Sequence, residues 1–272
     1  MEQIKQAIEK TKASRKRRDV NAGLKHISPA AAALRSAKEQ KAVPIYEPNP
    51  AILKANQLVC FLDSEKGFAG FDILRTRILQ KMKEQNWQSI AITSPGSGAG
   101  KTFVALNLAG CIALLEAESL LLVDFDLRKP SIARNLGLPI KCSLFDYLAS
   151  DIPFSKTMVK LRMPELEILP CLNPIRNPGE VIASRKIQDL VKELHKSNRW
   201  STLIFDLPPV LASDDVIAFL PNVDCVLLVI SAEKTTIDEV EESMHLLEPF
   251  NTIGVILNKA ESEGKEYYNY EY

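Results

Sequence analysis

The segment SPGSGAGKT, residues 94–102, constrains the fold of this chain more than any other feature. It follows a short apolar run, IAIT, and precedes FVALNLAGCIALLE, which has the apolar spacing of a helix. Glycines let a backbone approach an anion closely, and the first N–H groups of a helix carry partial positive charge. The sequence therefore predicts a strand, a phosphate-binding loop and a helix in direct succession.

The residue types of this loop predict how it would bind the phosphates of ATP. In such loops a lysine reaches the β and γ phosphates and the next hydroxyl ligates Mg²⁺, and these positions are Lys101 and Thr102 here. One departure is Pro95, because the common motif has glycine six residues before the lysine. We therefore expect ATP and Mg²⁺ as ligands. The other residues that we predict to contact the nucleotide are Ser97, Gly98, Ala99, Gly100 and Phe103.

Strand and helix patterns alternate along most of the chain, and this order predicts an α/β fold of the P-loop NTPase type. The chain has 272 residues, of which 46% are hydrophobic and 25% charged, as in ordinary globular proteins. Near-continuous Leu, Val and Ile runs favour a mostly parallel central sheet with helices on both faces. The predicted strands are Ser89 to Thr93, Ser119 to Asp124, Leu166 to Pro170, Ser201 to Leu207, Asp224 to Ser231 and Ile253 to Leu257. The predicted helices are Phe71 to Gln85, Lys101 to Leu115, Gly179 to Ser197, Asp214 to Leu220 and Thr235 to Leu247.

The predicted organisation has three parts: a basic N-terminal extension and linker at 1–57, a P-loop domain at 58–260, and a flexible tyrosine-rich tail at 261–272. Residues 1–41 contain eleven Lys or Arg and four Asp or Glu, a local net charge of about +7. We expect this mobile extension to be attracted to an acidic surface, such as anionic lipid or an acidic face of a membrane partner.

Two predicted strands end in carboxylates close to the expected phosphate site. LLLVDFDLRKP places Asp124 and Asp126 two residues apart, on one side of the chain if the extended backbone continues. LIFDLPPV delivers Asp206, and the prolines that follow stop the strand. Because ligands of open α/β sheets lie outside the carboxyl ends of the strands, we expect these carboxylates beside the P-loop. They suit Mg²⁺ coordination and acceptance of a proton from an incoming hydroxyl group.

The cysteines, the histidines and the apolar runs indicate whether to expect metal sites, disulfides and membrane spans. Five cysteines are scattered without CxxC or Cys/His clustering, which predicts neither a zinc site nor a disulfide framework. His26, His195 and His245 are isolated and are expected on the surface. No apolar run approaches the ~20 residues that cross a bilayer. We therefore expect a cytoplasmic protein, peripheral at most to the inner face of the cell membrane, with no nucleic-acid partner.

At these motifs the chain resembles the bacterial tyrosine kinases, the P-loop autokinases of exopolysaccharide and capsule production. TSPGSGAGKT is similar to their Walker A motif, LLVDFDLRKP to their Walker A′ and IFDLPPV to their Walker B. NPGEVIAS and Asp215 also resemble family positions, so the likeness runs from about Phe71 to the C-terminus. The resemblance implies that Lys101 binds the phosphates and that Asp124 accepts the tyrosine proton. It also implies that Mg²⁺ is bound by Thr102, Asp126 and Asp206.

The end of the chain supplies a candidate substrate. Four of the six tyrosines lie in the last six residues, YYNYEY. Polar tails normally contain few aromatic residues, so this enrichment indicates a use. We predict that the tail enters the active site of a neighbouring subunit and is phosphorylated there. The predicted phosphoacceptors are Tyr267, Tyr268, Tyr270 and Tyr272.

The resemblance also implies partners. Because no membrane span is predicted, the chain is similar to the split form of the family, whose activator is a separate membrane protein of the chain-length-determinant, or polysaccharide co-polymerase, type. A homo-oligomer is implied as well. The oligomerising motif of the family, ExxRxxR, has Ala69 and Asp72 at its first two positions here and keeps only Arg75.

Two other functions fit the same motifs. A positioning ATPase of the MinD and ParA kind shares the expected fold, but those enzymes carry a lysine five residues before the P-loop lysine, where this chain has Gly96. The second alternative is a nucleotide-dependent binding module that regulates polysaccharide assembly with little kinase activity. The altered ExxRxxR motif and a tail of only four tyrosines keep that alternative open.

Overall fold

The structure, a computed structural model, describes residues 43–62, 69–115, 117–150, 152–162 and 166–261. The predicted basic extension and the four tail tyrosines lie outside these ranges. Among the helices described, none is both long and apolar enough to cross a membrane.

The described residues form one eight-stranded sheet. Its strands are β1 (Ile45–Tyr46), β2 (Ser89–Thr93), β3 (Leu120–Asp124), β4 (Val159–Leu161), β5 (Leu166–Leu169), β6 (Thr202–Asp206), β7 (Cys225–Ser231) and β8 (Thr252–Asn258). They lie in the order β1-β4-β5-β3-β6-β2-β7-β8. All neighbours are parallel except β4 and β5, which are antiparallel. The strand that leads into the P-loop, β2, therefore lies inside the sheet between β6 and β7.

Helices cover both faces of this sheet. In the described ranges they are α1 (Pro50–Ala55), α2 (Ala69–Gln85), α3 (Lys101–Ala113), α4 (Ile132–Asn135), α5 (Leu144–Ala149), α6 (Pro178–Ile182), α7 (Arg185–Lys196), α8 (Asp215–Phe219) and α9 (Ile237–Leu247). Alternate residues of β2 pack into the hydrophobic cores on opposite faces of the sheet, because strand side chains point to alternate faces. Ile90 and Ile92 pack with α2 and α3, whereas Ala91 packs in the core that contains residues of α7 and α8. The predicted α/β fold with a mostly parallel sheet is confirmed.

Each of the six predicted strands is present, with ends that differ by at most one residue. The sequence did not predict β1 and β4, which have only two and three residues and so carry no readable alternation. The single helix predicted from Gly179 to Ser197 is two helices, α6 and α7. They are separated at Ser184, which adopts an extended conformation and accepts a hydrogen bond from Ile187 N–H through its hydroxyl.

Residues 43–57, which the sequence predicted as linker, belong to the folded unit. β1 pairs with β4, and the side chain of Asn49 accepts hydrogen bonds from the first N–H groups of α1. Leu53 is buried in the core on the α2 and α3 side. The prolines suggested a linker, but Pro50 occupies the first turn of α1, where proline is favourable because its nitrogen needs no partner.

A disulfide and a histidine contact differ from the sequence predictions. Cys60 and Cys111 form a disulfide between α3 and the 3₁₀ turn Val59–Phe61, with Cα atoms 5.3 Å apart. They are separated by 51 positions along the chain, so no local spacing signals the pair. His195 is half-buried, and its Nε2 lies 2.9 Å from the hydroxyl of Ser89, at the amino end of β2. This contact lies opposite the P-loop and ties α7 to the sheet.

Candidate active site

The P-loop follows β2 and ends where α3 begins. Gly98 and Gly100 have φ angles of 87° and 93°, in the left-handed region that glycine adopts without strain. Gly100 is the N-cap of α3, and its carbonyl accepts the hydrogen bond from Val104 N–H. Ser97 is exposed and Ala99 is buried. The loop therefore has the glycine-dependent curvature that a phosphate cradle needs.

An asparagine at the end of β8 supports the loop from outside. The side-chain amide of Asn258 donates a hydrogen bond of 2.8 Å to the carbonyl of Ala99. A Cβ atom on Gly100 would overlap this amide, so both the φ angle and the packing exclude a larger residue there. The sequence did not identify Asn258, because it lies 159 positions from Ala99 and in no local motif.

The predicted carboxylates lie beside the end of the P-loop. Lys101 Nζ lies 2.8 Å from Asp126 Oδ2 and 3.4 Å from Asp206 Oδ1. Thr102 donates its hydroxyl hydrogen to Asp206 Oδ2 over 2.6 Å. Asp124 lies directly opposite Asp206 in the β3–β6 register, so the two strand ends deliver their carboxylates side by side. The structure thus brings together the five residues that the sequence singled out for chemistry.

Asp124 has one satisfied oxygen and one free oxygen. Its side chain is fully buried, and Oδ2 accepts hydrogen bonds of 2.9 Å from the N–H groups of Ser131 and Ile132 at the start of α4. Oδ1 is also buried and has no hydrogen-bond partner among the described residues. A buried polar atom without a partner costs free energy, and a catalytic role is one explanation for such an atom. Oδ1 therefore has unused capacity to accept a hydrogen bond or a proton.

Burial and mutual repulsion shift the pKa values of this cluster. The pKa of Asp124 lies well above its usual range, first because the group is buried and then because Asp206 is close. Burial also raises the pKa of Asp206, although Lys101 and the Thr102 hydroxyl oppose this change. Burial would lower the pKa of Lys101, but Asp206 and Asp126 outweigh it and the pKa is raised overall. Lys101 therefore remains charged while Asp124 gains proton affinity.

The oxygen-bearing side chains beside Lys101 are of a kind that suits Mg²⁺. Within the part of the chain that the structure describes, no cluster of three or more His, Cys, Asp or Glu side chains has the arrangement of a metal site. The Thr102 hydroxyl, Asp126 and Asp206 nevertheless form a compact set of hard oxygen donors. Mg²⁺ prefers such a set, because it binds one or two carboxylates and completes its shell with phosphate oxygens and water.

A second ion pair lies beside the cluster. Arg128 Nε lies 2.7 Å from Asp215 Oδ2. Asp215 is buried and its other oxygen has no partner among the described residues, whereas the side chain of Arg128 is 46% exposed. The sequence indicated Asp215 only as a family position and did not pair it, since Arg128 is 87 residues away. The pair fixes the backbone that follows Asp126 next to α8.

Tyr46 and Tyr147 are the two tyrosines in the described ranges. Tyr46 belongs to β1 and packs partly against the core. Tyr147 in α5 is half-buried under Lys186, and burial raises its pKa to about 12. The predicted phosphoacceptors lie outside the described residues and stay a prediction.

Comparisons with known proteins identify the family of the chain. The CobQ/CobB/MinD/ParA nucleotide-binding domain family matches residues 90–271. Tyrosine-protein kinase YwqD of Bacillus subtilis is 30% identical over 198 residues, which cover 71% of this chain and 82% of YwqD. CapB of Staphylococcus aureus, also named a tyrosine-protein kinase, is 29% identical over 73% of this chain and 87% of its own length. EpsB of Ralstonia nicotianae, which carries the same kind of name, is 28% identical over 73% of this chain, but this chain spans only 27% of EpsB.

Solved structures share the fold of the chain. The chimerical protein CapA2B2 superposes with a TM-score of 0.68 and 26% identity, over 84% of this chain and 98% of that one. The septum site-determining protein MinD of Pyrococcus horikoshii, solved with Mg-ADP, reaches a TM-score of 0.52 at 24% identity, over 62% of this chain and 69% of MinD, and so shows the fold alone. The chain therefore belongs to the CobQ/CobB/MinD/ParA nucleotide-binding family and, within it, to the bacterial tyrosine-protein kinases.

Proposed function

We propose that this protein is a Mg·ATP-dependent tyrosine autokinase that regulates bacterial exopolysaccharide or capsular polysaccharide synthesis and export. The observation that carries the proposal is the meeting of Lys101 and Thr102 with Asp126 and Asp206, with the free oxygen of Asp124 beside them. A phosphate cradle alone serves many reactions. A cradle joined to a buried carboxylate with raised proton affinity suits transfer to a hydroxyl group.

Each residue has one task in this mechanism. Lys101 exchanges its carboxylate partners for the β and γ phosphates and stabilises the charge that spreads over the γ phosphate during transfer. The residues that would hold the metal are Thr102, Asp126 and Asp206. When bound, Mg²⁺ supplies positive charge that neutralises the phosphate oxygens. The backbone from Ser97 to Gly100 and the first turn of α3, including Phe103, orient the nucleotide.

Asp124 accepts the proton in the proposed transfer. A bond forms between the tyrosine oxygen and the γ phosphorus, the bond from that phosphorus to the β-phosphate oxygen breaks, and ADP leaves. The phenolic proton passes to Asp124 Oδ1, the oxygen that has no partner among the described residues. Because burial raises its pKa, Asp124 is a better proton acceptor than an ordinary aspartate. The acceptors of the phosphate are the tail tyrosines of a neighbouring subunit.

The assembly around the kinase is also part of the proposal. We infer a separate membrane protein of the chain-length-determinant type as activator, and contact of the basic residues 1–41 with the inner membrane face. Arg75, the arginine that remains of the altered oligomerisation motif, contacts its own subunit. It pairs with Asp72 of the same helix at 3.0 Å and donates a hydrogen bond to the carbonyl of Cys111. Oligomers of this chain therefore require contacts other than a free Arg75.

The two alternatives make different predictions for purified protein with Mg·ATP. A kinase forms phosphotyrosine, a positioning ATPase releases inorganic phosphate without phosphotyrosine, and a binding module does neither. Phosphotyrosine immunoblotting and a phosphate-release assay on the same sample distinguish the three. We expect phosphotyrosine that depends on added ATP and Mg²⁺. Phosphate release without any phosphotyrosine would replace the kinase proposal by the ATPase.

A further inference from the structure

A groove of about 830 Å³ lies between α2 and β8, beside the P-loop. We call it the α2–β8 groove. Its walls are mostly apolar and include Ile73, Leu74, Phe103, Val255 and Leu257. Val255 and Leu257 are 46% and 56% exposed, which is unusual for such side chains on a strand. Concave, mostly apolar clefts of about 300–1,000 Å³ are typical binding sites.

The strand that forms one wall is the edge of the sheet. Among the described strands, β8 pairs only with β7, so its outer edge offers backbone N–H and C=O groups to another segment. Lys81 of α2 covers part of this edge by donating a 3.1 Å hydrogen bond to the carbonyl of Ile253. Extended peptides commonly bind such an edge, using main-chain hydrogen bonds and pockets for alternate side chains.

The path of the chain after β8 leads into the groove. Lys259 has a φ angle of 58°, a left-handed conformation that is uncommon for residues other than glycine and that turns the backbone at the end of the strand. Lys259 and Ala260 then line the groove. Only Glu261 separates Ala260 from the eleven residues of the tail, 262–272, so the tail starts at the rim of the groove.

Charge and chemistry match between the groove and this tail. The charged residues that line the groove are Arg77 and Lys259, and none of the described lining residues is acidic. Residues 262–272 contain four tyrosines, three glutamates and one lysine. Tyrosine rings bury about 150–250 Å² each and present a polar end to water. The tail therefore offers rings to the apolar walls and carboxylates to the two cations.

We propose that the unphosphorylated tail, residues 262–272, docks in cis into the α2–β8 groove of its own subunit. Docking would withhold the tyrosines from the active site of a neighbouring subunit. This inference concerns binding without nucleotide, and it stands or fails separately from the kinase activity.

Hydrogen–deuterium exchange of the full chain without nucleotide tests the docking. A groove variant, Val255→Thr with Leu257→Gln, changes only exposed side chains. The matched control is Ile237→Gln, because Ile237 is 77% exposed and does not line the groove. We expect amides of residues 262–272 to exchange roughly five-fold faster in the groove variant than in the wild type or the control.

A reciprocal variant leaves the folded unit untouched. Replacing the four tail tyrosines by serine should speed exchange of the amides of Thr252–Asn258 to a similar extent, while the melting temperature stays unchanged. Equal tail exchange in the wild type and the groove variant, together with unchanged β8 exchange in the serine variant, would overturn the proposal. Protection that rises with protein concentration would also overturn it, because the occupant would then be a second copy.

Discussion

Thr102 donates its hydroxyl hydrogen to Asp206 over 2.6 Å, so the first turn of α3 is joined directly to the carboxylate that ends β6. Asp206 is fully buried and also lies 3.4 Å from Lys101 Nζ. This contact links the two elements that the proposed mechanism needs, the phosphate cradle and the metal-binding carboxylates. In the proposed mechanism, these are the oxygen atoms that would hold Mg²⁺.

The Thr102 hydroxyl can be tested with a matched pair of variants. Thr102→Val removes the donor to Asp206 and one proposed metal ligand, whereas Thr102→Ser keeps the oxygen. We expect the valine variant to lose about 10²-fold or more in autophosphorylation rate, as when one transition-state contact is removed. The serine variant should stay within about ten-fold of the wild type, since each 1.4 kcal/mol is one factor of ten. Equal activity of the two variants would contradict the assignment of Thr102.

Lys101→Met should abolish phosphotransfer, because the positive charge at the β and γ phosphates is lost. We expect at least about a 10²-fold loss in rate. Lys192→Met, on the exposed face of α7, is the control and should keep full activity. Circular dichroism should show that both variants remain folded. Wild-type autophosphorylation by Lys101→Met would remove the P-loop from the mechanism.

Asp124→Asn should change how stability depends on pH. The pKa of Asp124 is raised in the folded protein, whereas the unfolded chain ionises near the ordinary value of about 3.9. The wild type therefore loses stability as the pH rises from that value through the folded pKa, by about 1.4 kcal/mol for each pH unit that separates the two pKa values. The asparagine variant lacks this loss.

The measurement is the difference in melting temperature between Asp124→Asn and the wild type at pH 5 and pH 8. We expect the melting temperature of the variant to rise relative to that of the wild type between pH 5 and pH 8. The rise should be roughly 2–4 °C for each kcal/mol of unfolding free energy. Asp238→Asn, at an exposed position of α9, is the control for removal of a carboxylate. A difference that is constant or falls with rising pH would show that the pKa is not raised.

Two glycines of the P-loop should respond differently to alanine. Gly100 has a φ angle of 93° and no room for a Cβ beside Asn258, so Gly100→Ala must distort the loop. A Cβ on Gly96 would come no closer than 3.9 Å to Glu239 Oε1, and its φ angle is not in the left-handed region. We expect Gly100→Ala to weaken ATP binding about ten-fold or more, since one or two kcal/mol of strain suffices. Calorimetry should show that Gly96→Ala binds ATP about as tightly as the wild type. Equal ATP affinities of the two variants would contradict the loop geometry.

The carboxylates of the site were predictable because of where they stand in the sequence. Asp124 and Asp206 end apolar strands, and parallel strands deliver their carboxyl ends to one edge of the sheet. Asn258 and the Arg128–Asp215 pair were not predicted as contacts, since each joins segments that are far apart and no periodicity encodes such contacts. The strand Ile45–Tyr46 was missed for another reason: two residues carry no alternation, and the surrounding prolines resemble a linker.

The central claim is that this protein transfers phosphate from ATP to the tail tyrosines of a neighbouring copy of itself. Mass spectrometry after incubation with Mg·ATP, on the wild type and on a variant with all four tail tyrosines replaced by phenylalanine, tests it most directly. The account predicts phosphate on Tyr267, Tyr268, Tyr270 and Tyr272 of the wild type, and nearly none on the phenylalanine variant, which still binds ATP. Phosphate mainly on Tyr46 or Tyr147, or no phosphotyrosine at all, would contradict it.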